Sequence, residues 1–235
     1  MSIKRPQLAN DEIYHLILRG VGDSEIFKSK DDYWRAIFSL YEFNTTEPIE
    51  IRIQRKKRQN IKNGGQSSDE LLDKRTLLVG ILAFCFMPNH IHLLVKQKLE
   101  NGITQFMRKL GTGYAYYFNK KYQRKGHLFQ GRFRAVHIKS DGQLKVVFVY
   151  IHTNPISLVD FKWKKKGTTN IKKAINFLEN YKWSSFPDYI GIQNFPSITE
   201  REFLIELLGG KKDCKKAVLD WIKGKKADFR SVELE

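Results

Sequence analysis

Met87-Pro88-Asn89-His90-Ile91-His92-Leu93-Leu94-Val95 is the stretch on which the reading of the fold turns. Residues 76–86 and 90–97 are apolar runs on either side of Met87-Pro88-Asn89. Each is too short to span a membrane, and they read as neighbouring strands joined by a tight turn or a kink. Successive side chains on a strand point to opposite faces. His90 and His92 therefore share one face, and Ile91 and Leu93 share the other. Two imidazoles side by side on a rigid strand can hold one divalent metal. They can equally decorate a sheet, and the pair alone leaves both readings open.

Around this hairpin the apolar pattern alternates between strand and helix periods. Residues 11–20 read as a first strand that ends at Gly20, with His15 in mid-strand as a packed or hydrogen-bonded sheet residue. Trp34, Ile37, Phe38 and Tyr41 predict a helix over 31–43, with Asp31 and Asp32 at its positive end. Ile49, Ile51 and Ile53 alternate with polar residues and predict a strand. Residues 55–68 are basic, then Gly/Ser-rich. They read as an extended mobile loop, either a solvated excursion or a surface for nucleic acid. Over 102–119 a stripe of Ile103, Phe106, Met107, Leu110, Tyr114, Tyr117 and Phe118 predicts a long helix. Tyr114 and Tyr117 fall on its buried side, and Tyr116 lies off the stripe.

A basic turn at 120–126 leads into a strand predicted over 127–138 with an arginine-rich middle. Lys120, Lys121, Arg124, Lys125, Arg132 and Arg134, mixed with Tyr and Phe, suit phosphate contacts and base stacking, or else form an ordinary basic edge. Asp141 is placed to cap a helix over 142–153 whose buried stripe is Leu144, Val147, Phe148 and Ile151. Tyr150 and Asn154 lie on an adjacent face. Pro155 is expected to end this helix by disfavouring helical geometry at Asn154, so that both side chains are free to face a cleft. Past residue 160 the chain is basic and looser, with helices at 200–208 and about 212–223. No internal repeat is found. The organisation expected is a domain over 1–160 and a basic, mostly helical extension over 161–235 packed on or near it.

Composition narrows the partner. The 235 residues hold 42 Lys and Arg against 25 Asp and Glu, a net charge of +17, which favours a polyanion, with nucleic acid first. An anionic membrane surface is the weaker fit, because no end carries a strongly amphipathic basic helix, so no membrane partner is expected. Two distant cysteines, Cys85 and Cys214, with no C-x-x-C, suit a reducing compartment. The N-terminal Met-Ser-Ile-Lys-Arg-Pro lacks the apolar run of a signal peptide, and a cytoplasmic protein is expected.

Met87–Val95, the Gly126–Arg134 segment and Tyr150-Ile151-His152-Thr153-Asn154-Pro155 together resemble the single-tyrosine HUH transposases of small bacterial insertion sequences. The closer resemblance is to the REP-associated tyrosine transposases. It runs from about Glu12 to about Gly191 and takes in Tyr14-His15, Arg19-Gly20 and Trp183-Ser184-Ser185. The H-x-H alone is a weak signal, and the three segments in combination are a strong one. The resemblance implies an α+β fold, a ferredoxin-like antiparallel sheet with helices packed on one face. It implies that His90 and His92 are the HUH histidines, that Tyr150 is the nucleophile and that Asn154 is the third protein ligand of Mg²⁺ or Mn²⁺. The implied activity is cleavage and joining of single-stranded DNA next to a hairpin through a 5′-phosphotyrosine. A bacterial, nucleoid-associated monomer or homodimer would carry it out.

Two other readings compete. One is a hairpin-DNA or single-stranded-DNA binder that does not cut. The other is a metal-dependent phosphoesterase using water, which would not need Tyr150.

Overall fold

The computed structural model describes residues 6–62, 75–168 and 170–224. Four strands form one antiparallel sheet: β1 (Ile13–Arg19), β2 (Val79–Met87), β3 (His90–Gln97) and β4 (Arg134–Ile138), in the order β2-β3-β1-β4. Between β1 and β2 come α1 (Lys30–Glu42) and α2 (Ile51–Lys62), and between β3 and β4 comes α3 (Gly102–Lys121). Strand order and helix placement give the ferredoxin-like α+β fold expected from the sequence.

Period-2 alternation on β1 and β3 sends Tyr14, Leu16, Leu18, Ile91, Leu93 and Val95 to one face. There they meet Ile37 and Leu40 of α1 and Phe106, Leu110, Tyr114 and Phe118 of α3 in one buried cluster. The α3 stripe is thus buried as its spacing predicts, while Tyr116 is 69% exposed. Trp34, placed on the α1 stripe by periodicity, instead stays 45% exposed and packs edge-on against Trp183 and Phe195.

The opposite face is covered too, by helices that follow β4. Ala83, Cys85, Met87, Leu94 and Ile138 form a second cluster there. Their partners come from α4 (Asp141–Thr153), α5 (Trp163–Lys166), α6 (Ile171–Asn180), α7 (Phe186–Tyr189), α8 (Glu202–Leu208) and α9 (Lys211–Gly224). Every residue of β2 is buried as a result. Its outer edge is paired as well: Phe86 N–H donates to Trp183 O and Ser185 N–H to Phe84 O, at 2.9 and 3.0 Å. An open edge would template aggregation, and Trp183-Ser184-Ser185 closes this one.

Two local expectations fail for identifiable reasons. Ile51–Lys62 is helical rather than a strand and loop. Three alternating isoleucines are too short a signal against a run of Arg, Lys and Gln with no Gly or Pro, all good helix formers. Residues 63–68 of that expected loop lie outside the described residues. The strand predicted over 127–138 shrinks to Arg134–Ile138. Gly131 sits at φ +69°, a backbone turn that breaks the ladder, while Leu128, Phe129 and Phe133 fold under into the core.

The capping end of α1 carries a buried charge. Ser29 and Asp32 form a capping box, and Asp32 is fully buried. Its carboxylate accepts from Lys28 and Ser29 N–H, Tyr117 and Tyr122 hydroxyls and Lys121 Nζ, at 2.7–2.9 Å. Burial works to raise its pKa, but the bonds from Lys121, Tyr122, Lys28 and Tyr117 outweigh it and the net shift is downward. The stabilisation is therefore present above the ordinary carboxylate value of 3.8 and is lost as pH falls through the lower folded value. Asp32→Ala should cost about 3 kcal/mol, since it leaves two hydroxyls and an ammonium without their acceptor. Urea unfolding at neutral pH measures this, and an unchanged midpoint would show the network to be incidental.

Candidate catalytic site on the second face of the sheet

The site is laid out by strand register. Antiparallel pairing sets Ile17 opposite His92, Arg19 opposite His90 and Leu94 opposite His15. Directly paired residues share a face, so His90, His92 and His15 all project toward α4 rather than toward α1 and α3. The turn that presents His90 is held tightly. Gly20 N–H donates to Asn89 O at 2.8 Å, and Ile26 and Phe27 N–H both donate to Pro88 O. A Cβ at Gly20 would lie 2.3 Å from Ser24 O, so only glycine permits this approach.

All three histidines are buried: His15 and His92 fully, and His90 to 6% exposure. His90 Nδ1 lies 2.6 Å from Asn89 Oδ1. An amide oxygen only accepts, so His90 carries its proton on Nδ1 and presents a lone pair at Nε2. His92 Nδ1 lies 2.9 Å from His15 Nε2, and the two rings meet edge to edge, 18° from parallel, with centroids 5.1 Å apart. His90 and His92 meet edge to face at 4.7 Å. His15 is the member that sequence reasoning set aside as ordinary packing. The resemblance takes in Tyr14-His15 but gives His15 no role, because its contact is made by a pairing across 77 residues.

α4 delivers Tyr150 to this cluster. Its N-cap is Ser140, whose Oγ accepts from Gln143 N–H at 3.2 Å, and not Asp141 as expected. The Tyr150 ring stands perpendicular to His92 at 5.6 Å and edge-on to His15 at 5.9 Å. The structure thus joins Tyr150 to the H-x-H strand, as the spacing alone could not.

Tyr150 is only 9% exposed and Asn154 2%, so neither is open to a cleft in the way the sequence predicts. The reason is that Val147–Thr153 is buried throughout, packed between β2 and β3 of the sheet and the C-terminal α9. Pro155 also fails to push Asn154 out of helical geometry (φ −50°, ψ −41°). It opens a 3-10 turn, Asn154–Leu158, that continues the helix axis. Tyr150 and Asn154 are therefore one helical turn apart on a common face. Asn154 Nδ2 donates to Tyr150 O at 2.9 Å, which aims Oδ1 the other way. Oδ1 is buried and has no hydrogen-bond donor among the described residues.

Nearby groups are excluded by their surroundings. Cys85 pairs with His92 across β2 and β3, but complete burial pushes its thiol pKa up and keeps it an apolar, protonated side chain. His152, inside the Tyr150–Pro155 segment, faces away. It packs on Phe148, Phe186 and Tyr189, bonds Ser185 Oγ at 2.8 Å, and is pulled down to about 3 by desolvation, so it is neutral.

The six basic residues do not form one patch. Pairing sets Arg134 opposite Ile17, which is itself opposite His92. Arg134 is therefore exposed on the site's own face, two strand spacings or about 10 Å from His92. Arg132 lines a groove of about 1010 Å³ between α3 and residues 126–133, with Arg108 and Tyr116. Lys120 and Lys125 are exposed beside it. Arg124 is pinned to Asn119 Oδ1 and His127 O, and Lys121 is paired with Asp32.

Among the described residues no three His, Cys, Asp or Glu side chains are arranged to hold a metal ion. A divalent cation here would rely on two imidazoles and an amide oxygen. Two features fit such a donor set: the Nε2 lone pair of His90 and the unsatisfied Oδ1 of Asn154. No helix among the described residues is long and apolar enough to cross a membrane.

The family model described as "Transposase IS200 like" matches residues 66–154, the segment that contains both histidines, Tyr150 and Asn154. A solved structure titled "Structure of the REP associates tyrosine transposase bound to a REP hairpin" is similar at 16% identity and a TM-score of 0.48, over 83% of this chain and 90% of that one. No protein of curated function matches.

Proposed function

We propose that this chain, whose residues 66–154 match the family model described as "Transposase IS200 like", cuts and rejoins single-stranded DNA beside a hairpin, with Tyr150 as nucleophile. The observation that carries the reading is the placement of the Tyr150 ring within 6 Å of His92 and His15. A structural tyrosine could pack on one histidine. The same tyrosine on an H-x-H strand, inside the transposase-like segment, supports a catalytic role.

The phenol of Tyr150 attacks the phosphorus of a phosphodiester in line. The phenol O–H gives its proton to water, the Tyr O–P bond forms, the P–O3′ bond breaks, and the 3′-oxygen leaves and takes up a proton from water. The product is a 5′-phosphotyrosine and a free 3′-hydroxyl, and a second 3′-hydroxyl can reverse the step. The phosphodiester energy is kept, which suits joining as well as cutting. His90, His92 and Asn154 would hold Mg²⁺ or Mn²⁺, which when bound polarises the scissile phosphate. Arg134, on the same face, would pair with a flanking phosphate, and Arg132, Lys120 and Lys125, at the separate α3 groove, would add dispersed phosphate contacts away from the site. The work expected of such a protein places it in the cytoplasm on nucleoid DNA.

The test uses a labelled single strand carrying a hairpin, incubated with the full chain and Mn²⁺ and run on a denaturing gel. A protein-linked band that disappears in excess EDTA is expected. Cleavage without attached protein would favour a water-using phosphoesterase, and cleavage unchanged in EDTA would remove the metal from the account.

A further inference from the structure

His90 and His92 differ in what holds them. His90 meets an amide oxygen, which decides its tautomer. His92 meets another imidazole, His15, with 2.9 Å between His92 Nδ1 and His15 Nε2. A neutral imidazole carries one N–H and one lone pair, so one proton lies in this contact and one of the two rings donates it. If His15 donates, the proton of His92 is left on Nε2, and that nitrogen cannot ligate. If His92 donates from Nδ1, its Nε2 keeps a lone pair.

We infer that His15 is a positioning residue: its Nε2 accepts the Nδ1 proton of His92 and so fixes His92 in the tautomer that can bind a divalent cation. This rests on the functional reading given above. Three observations support it. Both rings are fully buried, so water does not compete for the contact. The rings lie within 18° of parallel, held on β1 and β3 by a register that pairs Ile17 with His92 and Leu94 with His15. His15 also borders Tyr150 edge-on, so the residue that sets the tautomer forms one wall beside the nucleophile. Ligating histidines commonly need such an outer partner, and its loss weakens metal binding about 10–100-fold.

The test needs neither DNA nor catalysis. Side-chain ¹⁵N NMR of the full, metal-free chain at mildly alkaline pH reads the His92 tautomer, with the signal assigned by its loss in His92→Gln. Mn²⁺ affinity is read separately by electron paramagnetic resonance. The proton is expected on His92 Nδ1. His15→Gln, whose Oε1 replaces the Nε2 acceptor, should bind Mn²⁺ close to the wild-type value, and His15→Leu should bind it about 10–100-fold more weakly. A wild-type proton on His92 Nε2, or Mn²⁺ binding by His15→Leu as tight as wild type, overturns the inference. If His15→Leu does not fold, the wild-type tautomer and His15→Gln decide it. A wild type with the expected tautomer and Mn²⁺ binding that forms no DNA adduct would instead overturn the cutting reaction and leave the role of His15 standing.

Discussion

Tyr150→Phe should fold and bind hairpin DNA like the wild type and form no covalent adduct. The change removes one oxygen and leaves the ring. The edge contacts with His92 and His15 at 5.6 and 5.9 Å survive, as does the packing of α4. What is lost is the atom that would bond to phosphorus. Removing a nucleophile of this kind lowers the rate on the order of 10⁴-fold or more. Thermal unfolding and a filter-binding assay, run beside the adduct gel, separate chemistry from folding. Residual adduct at a tenth of the wild-type level would mean that another residue can attack. Tyr116→Phe should leave the adduct intact, since that ring is 69% exposed on α3, across the sheet from the histidines. Tyr117→Phe should keep it too, at some cost in stability from the lost bond to Asp32.

The second large effect is expected at the histidines. His90→Ala and His92→Ala should each lower cleavage by about 100-fold or more, as much as or more than the loss of an outer partner would cost. Both should keep most of the affinity for DNA. Binding is expected to rest on dispersed cations such as Arg132, Arg134, Lys120 and Lys125, and a phosphate contact from each would add to the salt dependence of affinity. A titration of affinity against salt should therefore give the same slope for His92→Ala as for wild type, and a shallower slope for Arg134→Ala. Lost binding with cleavage retained on the bound fraction would reverse the assignment of the pair.

Much of this architecture is legible in the sequence because local pattern and tertiary need agree. The β2–β3 hairpin is marked by two apolar runs about a Pro-Asn turn, and α3 by a stripe that stays in phase for about four turns. Where local pattern is weak or ambiguous, tertiary packing decides. Leu128, Phe129 and Phe133 alternate like strand residues, yet they are buried from a loop that turns at Gly131. Val147–Thr153 carries no clean polar face because the sheet on one side and α9 on another bury it. That burial also hides Tyr150 and Asn154, which an amphipathic reading of α4 would leave open. The pair at i, i+4 is visible in the sequence; its meeting with His92 is not, since nothing local encodes the packing of α4 on β3. His15 is the extreme case. One histidine in an apolar strand carries no signal until the register places it two residues out of step with His92.

The central claim is that one tyrosine, Tyr150, bonds to DNA. Peptide mapping of the trapped adduct by mass spectrometry tests it most directly, because it assigns the phosphotyrosine among ten tyrosines without a substitution. The account predicts the nucleotide on the peptide that contains Tyr150-Ile151-His152. A nucleotide on Tyr116 or Tyr117 would contradict it and move the chemistry to α3, on the other face of the sheet.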